Sequence, residues 1–338
     1  MGAGAQRSVI GVAIDVAGDD ERLEEIVAGA ARASLDAATG VELHLVGDER
    51  RITQRLVRTR HDPERIAVVH SAAPNPVRDT VRLGADRLAD ALVMTGPSGP
   101  TIAACRELLT LLPGVPKPAL SAVYPTALRH GKKGDPFTLL LDVGAAAQAD
   151  AGDLETFAFL GAAYARAISL NESPRVALLA VGGDPRAAPP AVAEAAERLA
   201  RARGISFVGL LEAVDIPKGA ADVVVADGFA GNTVIKLLDG VRELALDLAG
   251  YAQKQRLLWK IGLAMLSGVL SRIKDLTDWE QYGGAPLLGY RQLVLRARLG
   301  SDGRAIHNAC RVAAKAVAAD IPGGFADLAS QGATQVTA

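Results

Sequence analysis

Asp227, Asn232 and the glycines between them are the residues whose types and spacing most suggest chemistry. A β-branched run, Val223-Val224-Val225, comes directly before Asp227-Gly228-Phe229-Ala230-Gly231-Asn232. The run has the composition of a strand buried on both faces. Asp227 and Gly228 stop it, and Gly231, Asn232 and Thr233 open an apolar helical pattern through Val234, Leu237, Leu238 and Val241. Asn232 or Thr233 is the expected N-cap. A strand that turns into a helix through glycines aims several backbone N–H groups at one spot, where the helix dipole favours an anion. The same spacing also serves a tight βα turn that needs glycine for geometry alone.

Thr95-Gly96-Pro97-Ser98-Gly99-Pro100 is a second junction of this kind. It has the look of a phosphate turn but lacks both the dinucleotide GxGxxG and the Walker lysine. Strand ends carrying Gly or Asp recur at Asp15, Gly96, Asp142, Gly182 and Asp227. In an open α/β sheet these are expected on one edge, the edge where ligands bind. Cys105 and Cys310 fall within helical patterns, so neither is read as a nucleophile.

The elements that position these turns alternate regularly. Strands are expected at Val9–Ile14, Val41–Val46, Ile66–His70, Ala91–Met94, Phe137–Leu141, Val176–Val181, Val223–Val225 and Leu293–Ala297. Helices are expected at Asp20–Ala38, from Ile52, at Val77–Leu88, Leu154–Ala167, from Ala191 and at Ile306–Val317. Such alternation marks an α/β fold with a parallel, doubly wound sheet. A chain of 338 residues with 49% hydrophobic and 22% charged residues can bury a large core, built mostly from Ala, Val and Leu. A formal net charge of -1 gives no reason to expect a nucleic-acid partner. The two distant cysteines fit reduced, buried thiols rather than a disulfide framework. No signal peptide or transmembrane helix is expected, and the protein is read as soluble and cytoplasmic.

Residues 255–276 differ from the rest. Leu258, Ile261, Met265, Val269 and Ile273 fall at helical spacing, and Leu257, Leu266 and Leu270 widen the apolar face, with Lys260 and Arg272 among its flanks. This is either a core or dimer-interface helix or an amphipathic hairpin for an anionic membrane surface. Beyond Pro322 the Gly, Ser, Gln and Thr content predicts a frayed tail.

Asp227 to Asn232, together with Tyr282-Gly283-Gly284-Ala285-Pro286-Leu287-Leu288-Gly289, resembles the signature segments of the bacterial phosphate acyltransferase family (PlsX). Further matches are Asp15 with Gly18, Val46-Gly47-Asp48, Pro113-Gly114-Val115 and Leu141-Asp142-Val143-Gly144-Ala145. The resemblance runs over nearly the whole chain. It implies a homodimer with a three-layer α/β/α sandwich and a mostly parallel sheet. It also implies transfer of a fatty acyl group from acyl carrier protein, or another acyl thioester donor, to inorganic phosphate for phospholipid synthesis, without a cofactor or metal. One domain is expected over residues 8–320. An amphipathic helical hairpin at about 252–277 would dock peripherally on the membrane through Leu258, Met265, Leu266, Val269 and Ile273, and residues 321–338 would form a flexible tail. Asp227, Asn232 and Arg298 become the implied catalytic residues. Gly18, Gly96, Ser98, Gly99, Asp142, Gly144, Gly228, Gly231, Gly283, Gly284 and Ser301 become the implied substrate and phosphate ligands.

The chain departs from the family pattern at polar positions. Glu21 stands where the family has His, and Pro97 where it has Asn. Ala146 to Ala151 replace Asn-Val-Asp-Cys-Lys-Pro, and Arg298-Leu299-Gly300-Ser301-Asp302 replaces His-Gly-Ser-Ser-Asn. Attack of phosphate on a thioester needs cations and donors for the dianion and for the developing oxyanion. A lysine and an asparagine beside Gly144 are lost and Asp150 has arrived, while Arg298 brings a guanidinium suited to phosphate. Two readings therefore stand: an acyltransferase, and a catalytically silent paralogue that binds partners of lipid synthesis. A nicotinamide-dependent dehydrogenase, suggested by fold alone, lacks the dinucleotide fingerprint.

Overall fold

Ile10–Val16 forms β1, in which every residue after Ile10 is buried, because helices cover both faces of the strand. The protein is seen in a computed structural model, and the residues described are 9–130, 135–255, 283–297 and 300–333. The remaining strands are β2 (Val41–Gly47), β3 (Ile66–His70), β4 (Ala91–Met94), β5 (Ala119–His130), β6 (Asp135–Leu141), β7 (Arg175–Leu179), β8 (Ser206–Leu211), β9 (Val223–Val225), β10 (Ala285–Leu288) and β11 (Leu293–Arg296). The helices are α1 (Asp20–Leu35), α2 (Glu49–Leu56), α3 (Val77–Ala85), α4 (Ser98–Leu108), α5 (Ala151–Ser169), α6 (Pro190–Arg201), α7 (Gly228–Gln255), α8 (Gly303–Ala318) and α9 (Ile321–Ala333).

One sheet runs β3-β2-β1-β4-β11-β10-β5-β6-β9-β7-β8. Its alternating side chains feed two layers. Val12, Ile14, Leu43 and Val93 pack with α1 and α8, while Leu139, Leu141, Val176 and Val225 pack with α5 on the same face. Ala13, Leu92, Met94, Leu140 and Val224 point the other way, into the layer that holds α3 and α4. The α/β/α architecture and the mostly parallel sheet are thus present as expected. In α1, Leu23, Ile26, Val27 and Ala30 are all buried, the stripe that their spacing predicts.

The sheet is not parallel throughout, which corrects the expectation of one ligand edge. β10 is antiparallel to both β11 and β5, and β5 is antiparallel to β6. β6, β9, β7 and β8 therefore run opposite to β1 and β4. Asp15 and Gly96 end strands of one direction, whereas Asp142, Gly182 and Asp227 follow strands of the other.

β5, β8 and β10 were not expected as strands. Pro125 argues against β5, since proline cannot donate to a ladder. Its missing N–H is tolerated because the β5–β6 register breaks between Pro125 and His130. The frayed tail is corrected too: α9 is a helix to Ala333. Ile321, Phe325 and Leu328 recur at helical spacing and bury with α5, which outweighs the Gly and Ser composition. The expected membrane residues Leu258, Met265, Leu266, Val269 and Ile273 lie outside the described residues, as does Arg298. No described helix is long and apolar enough to cross a membrane.

Candidate functional site

Where β9 passes into α7, the three valines are fully buried and Asp227 begins the turn. Asp227 Oδ1 accepts the Ala230 N–H at 2.8 Å, and its carbonyl accepts the Gly231 N–H at 2.9 Å. Asp227 is therefore the cap of α7, a correction to the expected cap at Asn232 or Thr233, which lie inside the helix. Phe229 N–H donates to the Ala147 carbonyl at 3.3 Å. Three donors of the backbone anion cradle expected at Gly228 to Asn232, those of Phe229, Ala230 and Gly231, are thus committed within the protein. The glycines serve close packing instead: a Cβ on Gly228 would fall 1.8 Å from the Ala146 carbonyl oxygen, and one on Gly231 1.9 Å from that of Asp142.

The neighbouring turn after β6 is built on Asp142. Its carboxylate accepts N–H groups from Leu120 at 2.9 Å, Gly144 at 3.0 Å, Ala145 at 2.9 Å and Ala146 at 2.6 Å. Burial pushes the carboxyl above its ordinary range, while these four donors pull against the rise. Arg106 braces the same turn by donating to the Ala145 carbonyl at 2.5 Å. Gly144 takes φ +123°, a conformation that a side chain disfavours, and Asn232 sits beside it.

The turn between β4 and α4 follows the same plan. Buried Asp15 accepts the N–H groups of Thr95 and Gly96, the latter at 3.0 Å, and Thr95 Oγ1 donates to its carbonyl at 2.8 Å. Burial raises its carboxyl to about 6, opposed by these donors and by nearby Arg22. α4 then starts at Ser98 after Pro97, with no side chain capping it.

These turns enclose a cavity of about 430 Å³. Of the expected ligands, Ser98, Gly144, Gly228, Asn232 and Gly284 line it. Asp142, Asp227 and Gly231 stand behind its wall as the contacts above require. Gly96 is tied to Asp15, and Gly99 lies in the first turn of α4. Gly18, Gly283 and Ser301 do not line the cavity. Gly18 sits in the β1–α1 turn, where its carbonyl accepts from Arg51 at 3.2 Å. Gly283 packs against Asn308 and Val312 of α8. Ser301 is buried just before Asp302, the cap of α8.

The remaining wall was not foreseen. Leu120, Ala122, Val123 and Tyr124 of β5, with Ile235 and Leu238 of α7, make it largely apolar. Lys236, Asp239 and Arg296 are the charged residues among the described lining. A readable signal existed for Lys236, which follows Asn232 by four residues and so shares its helix face. Arg296, at the end of β11, had none, because β10 and the antiparallel middle of the sheet bring it there. Cys105 and Cys310 are buried away from this lining, with both thiols pushed up to about 12 by burial. The described residues contain no cluster of His, Cys, Asp and Glu able to hold a metal ion.

Comparison with known proteins agrees with this architecture. The sequence profile of a family described as "Fatty acid synthesis protein" matches residues 10–323. The phosphate acyltransferase of Geobacillus thermodenitrificans is 33% identical over 328 residues, covering 92% of this chain and 96% of the relative. That of Alkaliphilus oremlandii is 32% identical, covering 90% and 92% respectively. Among solved structures, a phosphotransacetylase from Streptococcus pyogenes aligns with a TM-score of 0.60 at 14% identity, over 92% of this chain and 95% of that one. This last likeness is one of fold.

Proposed function

The chain belongs to the phosphate acyltransferase family, and on that premise we propose that it transfers a fatty acyl group from acyl carrier protein to inorganic phosphate. The observation that carries this reading is the cavity itself. An apolar wall from β5 and α7 suits an acyl chain, and it meets the cationic side chains Lys236 and Arg296 beside Asn232 and Ser98. In the reaction, a phosphate oxygen attacks the thioester carbonyl carbon. The C–O bond forms, the C–S bond breaks, and the departing thiolate takes the proton that phosphate gives up. In this reading Asn232 and Ser98, both in the lining, donate to the developing oxyanion, and the cations hold the dianion. The high thiol pKa values support direct attack without an acyl-enzyme. The acyl phosphate would enter phospholipid synthesis.

A second reading, a silent paralogue, draws support from the Ala146–Ala147 wall, where no polar side chain faces the cavity. Purified protein mixed with palmitoyl-acyl carrier protein and phosphate, then quenched with hydroxylamine, separates the two. Hydroxamate above the protein-free control supports transfer; its absence, with phosphate binding intact, supports the paralogue.

The assembly we propose is a homodimer in the cytoplasm, peripherally bound to anionic membrane. Leu237, Val241, Leu244, Leu248 and Tyr251 alternate at four- and three-residue steps along α7 and are 58–67% exposed, a seam suited to a facing helix. Leu244→Glu is expected to shift a dimer to monomer in sedimentation. Flotation of wild type with anionic vesicles, compared with Leu266→Glu, tests the membrane contact. A monomeric wild type that does not float refutes this assembly.

A further inference from the structure

We propose that Lys236 is the principal phosphate-binding side chain of this cavity, its ammonium holding the anionic oxygens of the attacking phosphate. This rests on the acyl phosphate reading for the identity of the anion.

Lys236 lies one helical turn beyond Asn232 on α7, and both side chains line the cavity. One turn is about 5.4 Å of helix, so an amide and an ammonium rise from adjacent positions on one helix face. The lysine is also unengaged. Lys117 pairs with Asp153, Lys218 pairs with Asp215, and Lys315 donates to the Ile168 carbonyl. Among the described residues, Lys236 makes neither an ion pair nor a hydrogen bond. Asp239, three residues later, lines the same cavity.

The backbone does not supply the missing charge. Donors of the turn after β6 go to Asp142, and those opening α7 go to Asp227 and Ala147. The positive charge for the anion must therefore come from side chains, the uncapped start of α4 at Ser98 adding only neutral N–H donors. Of the two cations in the described lining, Lys236 stands on the same helix face as Asn232, while Arg296 approaches from the end of β11. A compact ammonium on a flexible stem can follow phosphate as it moves onto the carbonyl carbon, which a planar guanidinium does less freely. The alternative is that Lys236 is a solvated surface lysine, since the residue is exposed.

The test compares Lys236→Gln and Lys236→Arg with Lys218→Gln, a paired surface lysine, at constant ionic strength. Inorganic phosphate is titrated while thermal unfolding is followed, and steady-state acyl phosphate formation is measured against phosphate and against the acyl donor. Without phosphate all variants are expected to melt with wild type. Lys236→Gln is expected to lose most of the phosphate-dependent shift and to raise the phosphate KM at least tenfold, with the acyl-donor KM within twofold. Lys236→Arg should recover most of both, and Lys218→Gln should match wild type. A Lys236→Gln variant with wild-type phosphate KM and thermal shift overturns the proposal while leaving the acyltransferase reading intact. A wild type that binds phosphate through Lys236 yet forms no acyl phosphate upholds the anion site and removes the acyltransferase reading.

Discussion

Replacing Asp142 with Ala is expected to be among the most damaging single changes near the cavity. The substitution strands four backbone N–H donors, those of Leu120, Gly144, Ala145 and Ala146. Gly144 is exposed, so water can take over its bond. The other three donors are buried, and each left without an acceptor costs about 1–3 kcal/mol, or roughly 3–9 kcal/mol together. The adjoining cavity lets water reach part of the turn, which favours the lower half of that range. Against a total stability of about 5–15 kcal/mol, this is a large fraction. Asp142→Asn keeps one oxygen acceptor but turns an NH₂ group toward one of the stranded donors. It should cost about 1–3 kcal/mol, between wild type and Ala. Urea unfolding with linear extrapolation measures both, and the expected order is wild type, then Asn, then Ala. An Ala variant within 1 kcal/mol of wild type by this assay, a margin near the scatter of such measurements, would refute the account of the turn as a carboxylate-held structure.

Asp15 gives a pH prediction. Its folded carboxyl, raised to about 6, lies above the unfolded value of 3.8, so the native state binds the extra proton between them. Its contribution is present in full below pH 4 and is lost as pH rises through 6, about 3 kcal/mol in all. Asp15→Asn should flatten that part of the stability–pH curve, and an unchanged slope would count against the assignment. Gly231→Ala places a methyl 1.9 Å from the Asp142 carbonyl oxygen, whereas a Cβ on Gly99 meets nothing within 4 Å. Thermal melts should show Gly231→Ala destabilised by about 3 kcal/mol and Gly99→Ala unchanged or slightly stabilised; equal melts would contradict the packing described. With both thiols pushed up to about 12, iodoacetamide should label neither Cys105 nor Cys310 in the native protein. A Cys105→Ala/Cys310→Ala variant should keep its kcat, and a folded variant with no turnover would refute direct attack by phosphate.

Much of the fold was legible because period and punctuation agree. β3, β4 and β9 lie where their apolar runs predict, and the α1 stripe is buried. What was hidden depends on partners distant in sequence. β5 contains a proline tolerated only because its ladder with β6 breaks there. α9 has loop-like composition and is held by three apolar side chains against α5. The reversal at β10 cannot be read locally, and it decides which strand ends meet. The candidate site was half legible: Ser98, Gly144, Gly228, Asn232 and Gly284 come together, while the apolar wall and Arg296 belong to strands whose place in the sheet only the fold reveals.

The strand-end aspartates explain how the family's polar positions were lost without loss of the fold. Asp15, Asp142 and Asp227 each receive the N–H groups of a turn that borders the cavity. None of those bonds uses a side chain from 146–149, so alanine and glutamine there leave the turn's hydrogen bonding intact. The residues that differ there are thus not supports of this backbone. On the proposed reading, charge recognition is left to side chains on regular elements, Lys236 on α7 and Arg296 on β11. Such groups keep their place when a loop diverges, because helix and strand hold them through neighbours such as half-buried Ile235 and buried Val294. On that proposal, divergence at the turn bears on rate and specificity, while the capacity to hold an anion follows the helix that begins at Gly228.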